Sequence, residues 1–118
     1  MPVDFIEPHG VKPNIPVIDI RHHRHGEQIR GALRYDPRKL LEANRLMLPL
    51  PKGGSVVLCA DDEATAESVA ARLRQNGYGE AFLLRGGVED WKTHGLPTEP
   101  PTQEQPVPGE EGAGIDLL

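Results

Sequence analysis

The 118-residue chain has a single cysteine, Cys59, so an intramolecular disulfide is impossible and a four-cysteine metal site is excluded. It also lacks a basic surplus, with 13 Lys and Arg against 18 Asp and Glu. The whole formal net charge of −5 lies in residues 97–118, where Glu99, Glu104, Glu110, Glu111 and Asp116 occur without one Lys or Arg. A neutral body with an acidic tail lacks the cationic surface that phosphate backbones require, so nucleic acid is not an expected partner. No apolar run approaches the ~18 residues of a membrane span, and Met1-Pro2-Val3-Asp4 has neither the basic flank nor the apolar stretch of a secretion signal. The expectation is a cytoplasmic monomer that does not engage membranes.

What the chain does have is 13 Gly and 12 Pro, beside a hydrophobic share of 37%. That composition fits one small domain with part of the chain outside its core. Residues 1–15, with Pro2, Pro8 and Pro13, read as an irregular arm carrying a short edge strand near Val3 and Phe5. Pro16 to Ile20 reads as a strand, Arg21 to Gln28 as a polar loop, and Ile29 to Tyr35 as a short extended piece. Asp36-Pro37 opens a helix, with Asp as N-cap and Pro at the first helical position. Its predicted face is Leu40, Ala43, Asn44 and Met47, and Pro49 ends it.

Ser55 to Cys59 is a continuous apolar run, the pattern of a central parallel strand covered on both faces. Ala66, Val69, Ala70 and Leu73 then mark an amphipathic helix closed by Gly77. Ala81 to Leu84 supplies the next strand and completes a βαβ unit. Gly86-Gly87 leads into a short helix with Val88 and Trp91. From Thr98 onward apolar residues almost vanish, which predicts a disordered Pro/Glu/Gly tail over 99–118, removable without loss of fold. Within it, Ile115, Leu117 and Leu118 stand out as a short docking motif.

Five segments, in this order, resemble the rhodanese-like family. They are Val17-Ile18-Asp19-Ile20-Arg21, Ile29-Arg30-Gly31-Ala32, Val56-Val57-Leu58, Leu73 to Tyr78, and Leu84 to Trp91 followed by Gly95-Leu96-Pro97. The resemblance spans about residues 16–98 and implies a three-layer α/β/α domain with a mainly parallel central sheet. It implies neither cofactor nor metal, and in active members a cysteine persulfide that carries sulfane sulfur from a donor to an acceptor.

The active loop departs from that family. Counted without gaps, the family's nucleophile falls on Ala60 and Cys59 takes the position before it. The other register keeps Cys59 as the persulfide nucleophile and makes the loop Ala60-Asp61-Asp62-Glu63-Ala64-Thr65 one residue longer. A Cys-x5-Arg phosphatase loop is disfavoured, because Thr65 stands where the arginine would be.

The loop's charge bears on both registers. A sulfur-transfer cysteine must be a thiolate, whereas Asp61, Asp62 and Glu63 surround this position with carboxylates and no loop cation. One carboxylate about 6 Å away disfavours a thiolate by roughly 2 to 3 kcal/mol at an effective dielectric near 20. Capping and first-turn contacts to the following helix are the plainer role for these acids. Asp19, Arg21 and Arg85 are expected around the same crevice at the carboxyl ends of the strands, the arginines pairing with the acidic loop. His22, His23 and His25 read as solvated loop. The favoured function is a catalytically weak or silent module binding a protein or an anion, the alternative a sulfurtransferase using Cys59.

Overall fold

The computed structural model describes residues 3–22 and 26–107. Five parallel strands form the central sheet in the order β1-β6-β5-β2-β4. They are β1 (Asp4–Ile6), β2 (Val17–Asp19), β4 (Leu33–Arg34), β5 (Val56–Cys59) and β6 (Ala81–Leu84). A separate antiparallel pair joins β3 (Gln28–Ile29) to β7 (Thr98–Glu99). The helices are α1 (Pro37–Glu42), α2 (Glu63–Gln75) and α3 (Gly87–Thr93). Among the described residues no helix is long and apolar enough to cross a membrane.

Alternation along the strands builds two cores. Ile18, Ile20, Val56, Leu58 and Leu83 face α1 and α2, where they meet Leu40, Ala66, Val69, Ala70 and Leu73. Val17, Val57, Cys59 and Leu84 face the other way, onto Val88 and Trp91 of α3. Strand β5 is central and buried along its full length, as its uninterrupted apolar run requires. The expected three-layer α/β/α arrangement is therefore present.

Three boundaries differ from the sequence reading. The arm before residue 16 is part of the fold, since β1 pairs with β6 at the sheet edge and Val3 is buried. Helix α1 starts on its Asp36 cap, whose carboxylate accepts the Arg38 N–H at 2.9 Å, yet ends at Glu42. Beyond it the chain is extended because the end of α2 captures its backbone. Asn76 Oδ1 accepts the Leu46 N–H and Tyr78 Oη the Leu48 N–H, at 3.0 and 2.7 Å. Leu46 and Leu48 are thereby buried and Met47 between them is 53% exposed, a period of two where a helix was expected.

The third difference is the tail. Residues 98–107 pack on the body as a strap. Glu99 Oε2 accepts from Gln28 Nε2 and the Gly31 N–H, and the Thr102 N–H donates to Gln28 Oε1 at 3.0 Å. The Gln105 N–H then reaches the Arg34 carbonyl at 2.7 Å on edge strand β4, and Val107 enters the core on the α1 and α2 side. Polar composition concealed this, because the strap is held through Gln28, a fully buried amide, and one apolar anchor. The rest of the predicted tail, residues 108–118, lies outside the described residues.

Candidate functional site

The carboxyl ends of β5 and β6 open onto a crevice of about 440 Å³ lined by Phe5, Ala60, Asp61, Asp62, Glu63, Leu83, Leu84, Gly86 and Gly87. The acidic loop forms one wall. Asp62 caps α2, its carboxylate accepting the Thr65 N–H at 2.7 Å and the Thr65 hydroxyl at 3.1 Å, which holds its pKa below the usual carboxylate value. Glu63 is the acid of the first helical turn, and Ala64 and Thr65 follow it in α2. Asp61 Oδ2 accepts the His22 N–H at 2.5 Å and so ties this loop to the one after β2. Gly86 and Gly87 make the opposite wall. Gly86 has φ 78°, and a Cβ there would collide with the Asp90 side chain, so glycine is required for α3 to start this close to the strand end.

Cys59 is not a lining residue. It is 1% exposed and faces the α3 core, while Ala60, next in the chain, is partly buried against the opposite core and borders the crevice. The thiol pKa is pushed up from 9.0 to about 12, first by burial and then by Asp19, with a smaller contribution from Asp61. Arg21 and the Val88 N–H, which donates to the sulfur, oppose the rise without reversing it. Burial thus outweighs the loop charge that the sequence brought forward, and neither Asp62 nor Glu63 is among the causes.

The expected crevice cations are engaged elsewhere. Arg21 is bidentate on Asp19, with Nε to Oδ1 at 2.9 Å and Nη2 to Oδ2 at 2.7 Å, and Asp19 is itself 1% exposed. This pair raises the Arg21 pKa. Arg21 opens onto a different pocket, of about 350 Å³, whose walls include Tyr35, Arg38 and the strap residue Glu104. Arg85 donates from Nε to Glu7 at 2.6 Å and lies over the Phe5 ring at 4.4 Å. The expectation that both arginines pair with the acidic loop is corrected: their hydrogen-bonded carboxylates are Asp19 and Glu7. His23 and His25 lie outside the described residues.

Sequence reasoning missed Phe5, Glu7, Gln28 and Glu104. Each acts across more than 65 residues of chain or from a segment read as irregular, so no local spacing announces it. Arg34 was missed too. It is 2% exposed, sits in register with Asp19 on β4, and its Nε has no hydrogen-bond partner among the described residues.

Comparison with known proteins agrees with the fold. A sulfurtransferase of Allochromatium vinosum is 40% identical over 55 residues, 47% of this chain and 51% of that protein. The matched stretch is thus about half the length of that relative. Thiosulfate sulfurtransferase from Pseudomonas aeruginosa superposes with a TM-score of 0.65 at 26% identity, over 83% of this chain and 19% of the larger one. A full-length protein from Lactobacillus plantarum superposes with a TM-score of 0.65 at 24% identity, over 82% of this chain and 88% of its own. The sequence model of the rhodanese-like domain matches residues 5–94, which takes in the crevice, its acidic loop and all of strand β1 but Asp4; the chain belongs to the rhodanese-like domain family.

Proposed function

We propose that this domain is a catalytically weak or silent binding or regulatory module of a reducing cytoplasm, with Ala60 at the position where active relatives carry their nucleophile. One observation carries the reading: the only thiol of the chain is buried on the α3 face, and an alanine borders the crevice instead. A thiol with its pKa near 12 is a thiolate in only about one molecule in 10⁵ at pH 7. The crevice wall adds Asp61, Asp62 and Glu63, a field that disfavours an anionic donor such as thiosulfate. A protein surface is the partner class that fits this acidic rim.

Steady-state thiosulfate:cyanide sulfur transfer tests the proposal. Thiocyanate formation is expected at background level and unchanged by Cys59→Ser. Turnover that Cys59→Ser abolishes would overturn it in favour of the second reading, sulfur transfer through a Cys59 persulfide. Two observations favour that alternative: the name of the Allochromatium relative, and the Val88 N–H aimed at the Cys59 sulfur.

A further inference from the structure

On the α3 side, away from the crevice, a groove of about 340 Å³ is walled by Val11, Ile15, Ile29, Trp91, Leu96 and Pro97. Its walls are apolar and its rim is cationic, with Lys12 and Arg30 both exposed at the edge. Neither has a carboxylate partner among the described residues, so the charge of both is free to meet an acidic segment. An apolar slot between two unpaired cations selects an aliphatic segment flanked by acids.

The chain contains such a segment. Residues 108–118 include Glu110, Glu111 and Asp116 with no Lys or Arg, and their bulky apolar residues are Ile115, Leu117 and Leu118. We propose that this terminal segment of the same chain docks in the groove, its aliphatic side chains against Trp91 and Leu96 and its carboxylates toward Lys12 and Arg30. The length of the strap shows that such a reach is within the span of the chain. The chain leaves the groove wall at Pro97 and arrives at Val107 in ten residues, so the ten residues from Val107 to Leu117 can span the same distance in return.

The full chain tests this, with Trp91 as its only tryptophan. In the variant Ile115→Ser, Leu117→Ser, Leu118→Ser, the amide resonances of Val11, Lys12, Ile15, Ile29, Arg30 and Leu96 and the Trp91 indole resonance are expected to shift, independently of protein concentration. Adding a synthetic peptide of residues 109–118 to that variant should return them toward their positions in the unmodified chain. Lys12→Glu with Arg30→Glu, built into the same variant, should weaken the peptide about tenfold, and added salt should act in the same direction. Unchanged groove resonances in the triple-serine variant would overturn the proposal. So would shifts that depend on concentration, which would assign the groove to the terminus of a second copy, or peptide binding insensitive to charge reversal.

Discussion

Asp19 and Cys59 are register partners on neighbouring strands, so a buried carboxylate and a buried thiol stand side by side on the α3 face of the sheet. Arg21 neutralises the carboxylate through two of its nitrogens and leaves the thiol uncharged. In this arrangement the sulfur belongs to the core and the charge to an ion pair beside it. What remains at the crevice is the acidic loop and a methyl group.

The first prediction concerns the reactivity of that thiol. Labelling of native Cys59 should be orders of magnitude slower than in the unfolded chain at neutral pH, and should accelerate only as the pH climbs toward 12. Stability follows the same titration. The folded pKa lies above the unfolded one, so the folded state binds the proton more tightly and this contribution is complete below about pH 9. It is lost between about pH 9 and 12, by up to roughly 4 kcal/mol at 1.36 kcal/mol per pKa unit. Equilibrium denaturation of the native chain and of Cys59→Ala measures the difference, which should shrink as pH rises through that window. A parallel pH dependence in the two proteins would contradict the assignment.

A relocated sulfur tests the register. In Cys59→Ala, Ala60→Cys the thiol lies at the crevice wall, beside the N-terminal turn of α2 and only partly buried, where Cys59 is 1% exposed. It should react with thiol reagents at least about a hundredfold faster at pH 7 than Cys59 in the parent, since relief of two pKa units alone gives that factor. Asp61→Asn added to this variant should speed it further by removing a repulsive charge. A relocated thiol slower than the native one would place the nucleophile's position at Cys59.

The strap gives a stability prediction opposite to the one its composition invites. Deleting residues 100–118 removes the buried Val107 side chain, the Thr102 bonds to Gln28 and the Gln105 bond to Arg34. Burial of one valine contributes ~1.5 kcal/mol and each hydrogen bond a further ~1 kcal/mol. At ~4 to 8 °C per kcal/mol for a domain of this size, the Tm should fall by ~10 °C or more. Val107→Ser should account for part of this alone. A deletion that melts with the full chain would show that the strap does not hold the edge.

The parts of the fold legible in the sequence are those whose signal is local. Strand β5 is one apolar run, α2 one amphipathic period ended by a glycine, and the Asp36-Pro37 cap one dipeptide. The segment 43–50 misled because its backbone is held by Asn76 and Tyr78, about thirty residues away, and this tertiary capture overrides the helical spacing. The strap misled for a similar reason, since a single valine and one buried amide anchor a polar stretch. At the site, the loop acids were readable as residues and as caps. The partner of Arg85 was not, because Glu7 reaches it across the sheet edge from the far end of the chain, whereas Arg21 is held by Asp19, two residues before it, and not by the acidic loop.

Persulfide formation on the intact chain tests the central claim most directly. The full-length protein, reduced and then incubated with excess thiosulfate, is examined by intact mass before and after addition of cyanide. The account predicts no gain of a sulfur atom at neutral pH, because the only thiol is buried, protonated and faces the α3 core instead of lining the crevice. A stoichiometric gain of one sulfur that cyanide removes as thiocyanate, and that Cys59→Ser prevents, would contradict it and make Cys59 the carrier of a working sulfurtransferase.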